Sequence, residues 1–309
     1  MGKKILLAVD ECIHSRQVVK YTARICAAAG DVTYTLFHVE PFVPEVFRRG
    51  GEKNPAVQAE LEGLLKKKAD VKACISDSLK QFLVNEGVPE GRIETVVKPL
   101  EKGMAKDILN YAEHGGYDAI ALARTGLTSS RDFFIGTTAA KIVEHALNIP
   151  VWIIDGTSTD MDFLLAVDGS ENSLRDVDHI VRMVGPNKKL ELTLFHVLPH
   201  LRHYYSLDEE KRCPNLQAML HEADTQRMEA CFREVNKKLQ DGGIDKSQIR
   251  TKTNTMSYDI STAVLDEAKT MGYSTVVVGR RGERSAFFTG RIALRLVQKV
   301  VGQTLWILP

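Results

Sequence analysis

One domain is written twice in this chain. Leu6-Leu7-Ala8-Val9-Asp10 returns as Leu164 to Asp168, and Thr35-Leu36-Phe37-His38-Val39 returns as Thr193 to Val197, both at an offset of 158. Further on, Tyr117 through Gly126 realigns with Tyr273 through Gly282, Phe133-Phe134 with Phe287-Phe288, and Trp152-Ile153 with Trp306-Ile307, the offset falling by only a few residues. Two copies follow, 1–155 and 161–309, joined by a polar linker at Gly156 to Asp160. Each is long enough to bury a core of its own, and the period is far too long for a solenoid.

In copy one, Lys4 to Val9 is a short aliphatic run that stops at an acid, as a buried parallel strand does. Val18, Val19, Thr22, Ala23 and Cys26 then recur at helical spacing, with Ser15 placed to cap the start. Thr33 to Val39 reads as the second strand, and the proline- and glycine-bearing stretch after it, through Gly51 and Pro55, as loop. A long helix follows. Its expected buried stripe runs through Leu61, Leu64, Val71, Ile75, Leu79 and Phe82, with Lys66-Lys67-Lys68 on a solvated face. Strands at Arg92 to Val97, Asp118 to Ala123 and Pro150 to Ile154 alternate with helices from about Met104 to His114 and from Thr138 to Leu147. Copy two repeats the order, with strands starting near Asp162, Glu191, Arg250, Ser274 and Gln303. This alternation predicts an α/β fold of two tandem Rossmann-like domains, each a five-stranded parallel sheet with helices on both faces.

Composition narrows the function class. With 41 basic and 40 acidic residues the net charge is +1, so no bulk field steers nucleic acid or an anionic membrane, and neither is an expected partner. No apolar run reaches membrane-spanning length, and the N-terminus lacks a signal-peptide core. Five cysteines without a Cys-x-x-Cys pair read as reduced thiols of a cytoplasmic protein.

Open parallel sheets bind ligands beyond the carboxyl ends of their strands. Asp10 and Asp168 each end a first strand at that edge, where a carboxylate can hold the turn, contact a ligand, or do both. After the fourth strand of copy one, Gly126 is followed at nine intervening residues by Gly136-Thr137-Thr138 at a helix start. Glycine permits close backbone approach, and a helix N-terminus offers unpaired N–H groups to a phosphate. The phosphate-loop and dinucleotide fingerprints are absent, as are a nucleophile elbow and any triad recognisable from spacing. His196, His200 and His203, beside Tyr204 and Tyr205, have a tempting spacing but no cysteine or carboxylate at ligand distance in sequence, so no metal site is expected.

On these residues the chain resembles a tandem universal stress protein. Nucleotide-binding members of that family carry Gly-x-x-Gly, nine residues and Gly-Ser/Thr after the fourth strand, with an Asp ending the first. Copy one matches as Ala123-x-x-Gly126, nine residues and Gly136-Thr137, with one glycine replaced. Copy two keeps Gly279-Arg280-Arg281-Gly282, but only seven residues separate Gly282 from Gly290, and Arg291 stands where the hydroxyl residue would be. The shortened loop gathers Arg280, Arg281, Arg284 and Arg291, which would offer charge to a phosphate or simply face solvent.

The resemblance implies an adenine nucleotide-alpha-hydrolase-like fold and a cytoplasmic stress-response module binding ATP, with Mg2+ accompanying the phosphates. Asp10 and Val39 would hold the adenosine and Gly126, Gly136, Thr137 and Thr138 the phosphates; Asp168, Val197, Gly279, Gly282, Gly290 and Arg291 are the copy-two counterparts. Ala123 would be tolerated with a negative φ and obstructive with a positive one. The alternative is a scaffold with degenerate nucleotide sites that binds protein or other small ligands. An enzyme ranks last, because the Ser-Gly-Gly-x-Asp-Ser loop of the pyrophosphatase relatives is absent. Val151 to Ile154 and Leu305 to Leu308 are apolar edge segments that would pair with each other as an intramolecular pseudo-dimer. A homodimer of the whole chain and unnamed protein partners stay open.

Overall fold

Each aliphatic run becomes a strand. In the first lobe these are β1 Lys3–Ala8, β2 Val32–Glu40, β3 Ile93–Pro99, β4 Ala119–Ala123 and β5 Val151–Ile154; in the second, β6 Asp162–Ala166, β7 Glu191–Val197, β8 Ile249–Asn254, β9 Thr275–Gly279 and β10 Thr304–Leu308. The computed structural model describes residues 2–40, 42–47, 49, 54–125, 135–201, 207–255, 259–280 and 291–309.

All ten strands lie in one sheet, in the order β3-β2-β1-β4-β5-β10-β9-β6-β7-β8. Pairing is parallel within each lobe and antiparallel only at the seam, where Trp152 of β5 faces Trp306 of β10. The two indoles stack at 4.0 Å with parallel planes, a contact worth about 0.5–1.5 kcal/mol beyond the area it buries. The last strand of each lobe thus covers what would be the other's bare edge.

Side chains alternate across this sheet into two cores. Ile5 and Leu7 join one; Leu6 joins the other. The first core is capped by the helices His14–Ile25, Pro55–Asn85, Glu171–Val184 and Pro214–Asp241, and the second by Met104–Gly115, Thr137–His145, Ile260–Met271 and Arg291–Lys299.

Three local expectations are corrected. Ser15 does not cap its helix, because the N-cap is Ile13; the buried hydroxyl instead donates to Asp10 Oδ1 at 2.9 Å. In the long helix Pro55–Asn85 only Leu79 and Leu83 are buried, while Leu64 and Val71 are exposed and Leu61 is half-buried. The N-terminal half of this helix carries no buried residue. The loop before it contains helical residues at 45–47.

Candidate functional site

In the order 3-2-1-4-5 the chain reverses direction of travel between β1 and β4, and the crevice beyond their carboxyl ends is where such sheets take ligands. A cavity of about 360 Å³ lies there in the first lobe. Its wall includes Asp10, Val39, Ala123, Gly136, Thr137 and Thr138. Six of the seven residues singled out in copy one therefore line one cavity; the seventh, Gly126, lies outside the described residues.

Each wall residue has a local reason to be there. Asp10 follows β1 and folds the turn back on itself: Cys12 N–H donates to its Oδ1 at 3.1 Å, and the Ser15 hydroxyl does so at 2.9 Å. Ala123 ends β4; no residue other than glycine has a positive φ among the described residues, so its methyl group adds no backbone strain. The Gly136 N–H donates to Arg124 carbonyl oxygen at 2.8 Å, closing the loop base, and Gly136 is the N-cap of the helix Thr137–His145. The first turn of that helix carries no acidic residue, leaving its N–H groups and positive dipole end facing the cavity.

His38, Lys68 and Lys72 also line the cavity and were not singled out from sequence as ligand contacts. Lys66-Lys67-Lys68 is exposed as expected, yet Lys68 stands at the cavity wall. Lys72 pairs with Glu40 at 2.8 Å. Burial, with Lys72 nearby, holds the His38 imidazolium below the usual histidine range, so the ring is neutral near pH 7. Burial and the hydrogen bond with Asp10 push the Cys12 thiol up to about 11, which makes it a poor nucleophile.

The second lobe builds the same turn and sets different side chains beside it. Asp168 Oδ1 accepts from Ser170 N–H at 3.0 Å and the Ser173 hydroxyl at 2.8 Å, matching Asp10. Val197 ends β7 and Gly279 ends β9. Gly282 and Gly290, with Arg281 and Arg284, lie outside the described residues, as does the Arg291 side chain, so the shortened loop is not compared.

The long helices, however, can be aligned. Val88 N–H bonds Leu83 carbonyl oxygen in one and Ile244 N–H bonds Leu239 carbonyl oxygen in the other, an offset of 156 (244 − 88) that places Asp224, Arg227 and Met228 where the first lobe has Lys68, Val71 and Lys72. Asp224 is buried. It receives His196 Nε2 at 2.7 Å and Arg227 Nη2 at 2.5 Å, while His196 Nδ1 holds the Val167 carbonyl at 2.9 Å. Met228 and Arg227 press on Gly169, beside Asp168: a Cβ built there would meet Met228 Sδ at 3.0 Å. His200 stacks edge-on against His221, 5.7 Å between ring centres, and His203 lies outside the described residues. Among the described residues no group of three or more His, Cys, Asp or Glu is arranged to hold a metal ion.

With this geometry in view, comparison with known proteins gives the lineage. The model of the universal stress protein family matches residues 1–155 and again 161–301. A universal stress protein from Archaeoglobus fulgidus DSM 4304 superposes with a TM-score of 0.60 at 16% identity, covering 99% of this chain and 97% of its own. A Pseudomonas aeruginosa PAO1 protein of unknown function and a protein from P. aeruginosa UCBPP-PA14 both superpose with a TM-score of 0.55, at 13% and 15% identity; each covers 99% of this chain and respectively 92% and 93% of its own. No curated protein sequence matches the chain.

Proposed function

The chain belongs to the universal stress protein family, and from that premise we propose that its first lobe binds an adenine nucleotide, ATP in the first instance, as a regulatory ligand of a cytoplasmic stress-response module. The observation that carries this reading is the convergence of Asp10, Val39, Ala123, Gly136, Thr137 and Thr138 on one cavity of about 360 Å³. That volume falls within the range of small-molecule sites. Asp10 and the main chain at Val39 would take the adenosine; the N-terminus of the helix Thr137–His145 and the two threonine hydroxyls would take the phosphates. Mg2+ enters only as the companion of those phosphates, because no set of protein ligands stands ready for it among the described residues.

Binding without turnover is the proposed mode. The Cys12 thiol beside Asp10 is held protonated, and the Ser15 hydroxyl that donates to the Asp10 carboxylate also donates to the Asp10 carbonyl, a contact that holds the turn. The second reading, a lobe retained as an interaction surface with a lost nucleotide site, is favoured for lobe two alone by the Asp224–His196–Arg227 cluster, which puts a bonded carboxylate at the helix position where lobe one has Lys68.

Titration of the full chain with ATP tests the proposal, together with acid extraction and chromatography of nucleotide carried through purification. Saturable binding of about one nucleotide per chain is expected, lost in Gly136→Trp with the circular dichroism spectrum unchanged. Unaltered affinity in that variant would overturn the site assignment, and ADP or pyrophosphate appearing at turnover rates would overturn the regulatory reading.

A further inference from the structure

Each fourth strand is followed at once by an arginine, Arg124 after Ala123 and Arg280 after Gly279, at the repeat offset of 156. Both guanidinium side chains are buried, a costly place for a charge unless it is paired. Arg124 pairs with Asp155 of its own lobe at 3.6 Å, yet neither side chain turns back into its own lobe alone. Arg124 crosses the seam and donates to the carbonyls of Val297 at 3.4 Å and Gln298 at 3.2 Å in the helix Arg291–Lys299. Arg280 crosses in the opposite sense and donates through Nη2 to the Val143 carbonyl in the helix Thr137–His145. Val143 and Val297 are themselves repeat equivalents, so the exchange is two-fold symmetric.

The acceptors explain the arrangement. The last four carbonyls of a helix have no intrahelical partner and carry the negative end of its dipole. Val143 lies in that last turn, as do Val297 and Gln298. A guanidinium supplies several donors and a positive charge together. Its other end is anchored in the sheet: Arg124 N–H donates to the Ile154 carbonyl at 3.0 Å and Arg280 N–H to the Leu308 carbonyl at 2.6 Å. In the first lobe the Arg124 carbonyl also accepts from Gly136 N–H, at the base of the candidate phosphate loop.

We propose that Arg280 is a positioning residue for the ligand site of the opposite lobe: it fixes the C-terminal end of the helix whose N-terminus faces the nucleotide cavity, while Arg124 does the same for the second lobe's helix. From Val143 to Thr137 is six residues, about 9 Å of rigid helix, so a guanidinium in lobe two sets where the lobe-one N–H groups point. Occupancy of the lobe-one cavity is thereby felt at Arg291–Lys299 through Arg124. The ligand part rests on the nucleotide reading above; the positioning part does not.

Hydrogen exchange of the full chain, read by mass spectrometry, separates the two. Arg280→Met is expected to speed exchange across Thr137–His145, in the lobe it does not belong to, and Arg124→Met to do so across Arg291–Lys299. Arg280→Lys, which keeps the charge and one reach to the carbonyl, is expected to fall between wild type and Arg280→Met, and serves as the test should the methionine variant not fold. Exchange that changes only in the mutated lobe overturns the proposal.

With ATP, Arg280→Met is expected to lose about tenfold in affinity, the effect of one hydrogen bond to a charged group. Added ATP should slow exchange at Arg291–Lys299 in wild type but not in Arg124→Met. Absence of any ATP binding by wild type would remove the nucleotide reading and leave the exchange result to judge the arginines. Normal ATP affinity in an Arg280→Met chain whose lobe-one helix does exchange faster would overturn the link between that helix and the site.

Discussion

The two lobes share strand order, the Asp-held turn after the first strand and a histidine near the end of the second, yet the long helix beside that turn carries opposite charge in the two. Lobe one places Lys68 and Lys72 at the wall of a cavity. Lobe two places Asp224 and Met228 at the same helix positions, where Asp224 bonds the lobe's own histidine and arginine. The backbone hydrogen bonds that define the fold are indifferent to this choice. Side chains on one helix set the charge over the turn, basic in lobe one and a hydrogen-bonded carboxylate in lobe two, so fold membership alone says little about what either lobe takes up.

The largest way to break the comparison is Asp224→Ala. It leaves the buried His196 without its acceptor and breaks the pair with the part-exposed Arg227, so the loss is that of hydrogen bonds to a charged group, about 1.5–3 kcal/mol. Urea unfolding should show this loss, whereas Lys68→Ala at the matching position should change stability by less than about 0.5 kcal/mol, as exposed substitutions do. Equal effects would mean that the cluster holds nothing. The pH dependence has a definite sign. Burial opposes ionisation of Asp224, but the bonds from His196 and Arg227 prevail and hold the carboxyl below its usual range. A depressed carboxyl stabilises the fold above the unfolded value, about 3.9, and that contribution is lost as pH falls through the folded value. Wild type should therefore shed stability below about pH 4 more steeply than Asp224→Ala.

A gain is expected at a second mismatch between lobes. At the repeat offset of 158, Asp176 of lobe two stands where lobe one has Val18, and both are buried. Among the described residues nothing hydrogen-bonds Asp176 Oδ1. Burial, with Asp168 nearby, pushes its carboxyl well above the usual range. Asp176→Val, copying lobe one, should stabilise the chain by about 1–3 kcal/mol, the cost of a buried unsatisfied polar group. A raised carboxyl contributes stability below the unfolded value and loses it as pH rises, so the gain should be larger at pH 7 than at pH 4. Unfolding curves at both values check it; an unchanged midpoint would mean that the cleft lined by Arg175, His179 and Arg182 already satisfies the acid.

Much of this was legible in the sequence. The repeat gave the two lobes, and aliphatic runs with helical spacing gave the order of elements, because both depend on local periodicity. The Gly136-Thr137-Thr138 step was legible as a helix start at the sheet's carboxyl edge, because glycine followed by hydroxyl residues marks such a start locally. The helix wall was not. Lys68 reads as solvated because charge periodicity reports exposure and is silent about whether the exposed face borders a cavity. Leu64 and Val71 carry an apolar spacing that promised burial, but their stretch of the helix buries nothing, and what a helix face meets is a tertiary quantity. The arginine exchange pairs residues 173 and 137 positions apart in sequence, beyond any local pattern.

The smallest effect gives the sharpest comparison, since it transplants one lobe's residue into the other. Lys68→Asp installs at the lobe-one wall the acid that lobe two carries at the matching helix position. Lys68 is exposed, so the fold should tolerate the change. Reversing one charge near a solvent-open anion site is worth up to about 1 kcal/mol, so ATP affinity should fall about threefold to fivefold. The loss should shrink as salt is raised from low to physiological ionic strength, where the screening length drops to about 8 Å. Adenosine, which lacks the phosphates, should bind wild type and variant alike. Equal losses for ATP and adenosine would show that the substituted side chain blocks the cavity instead of repelling the phosphates, and no loss for either would remove Lys68 from the site and leave the helix N-terminus at Thr137 to carry the anion alone.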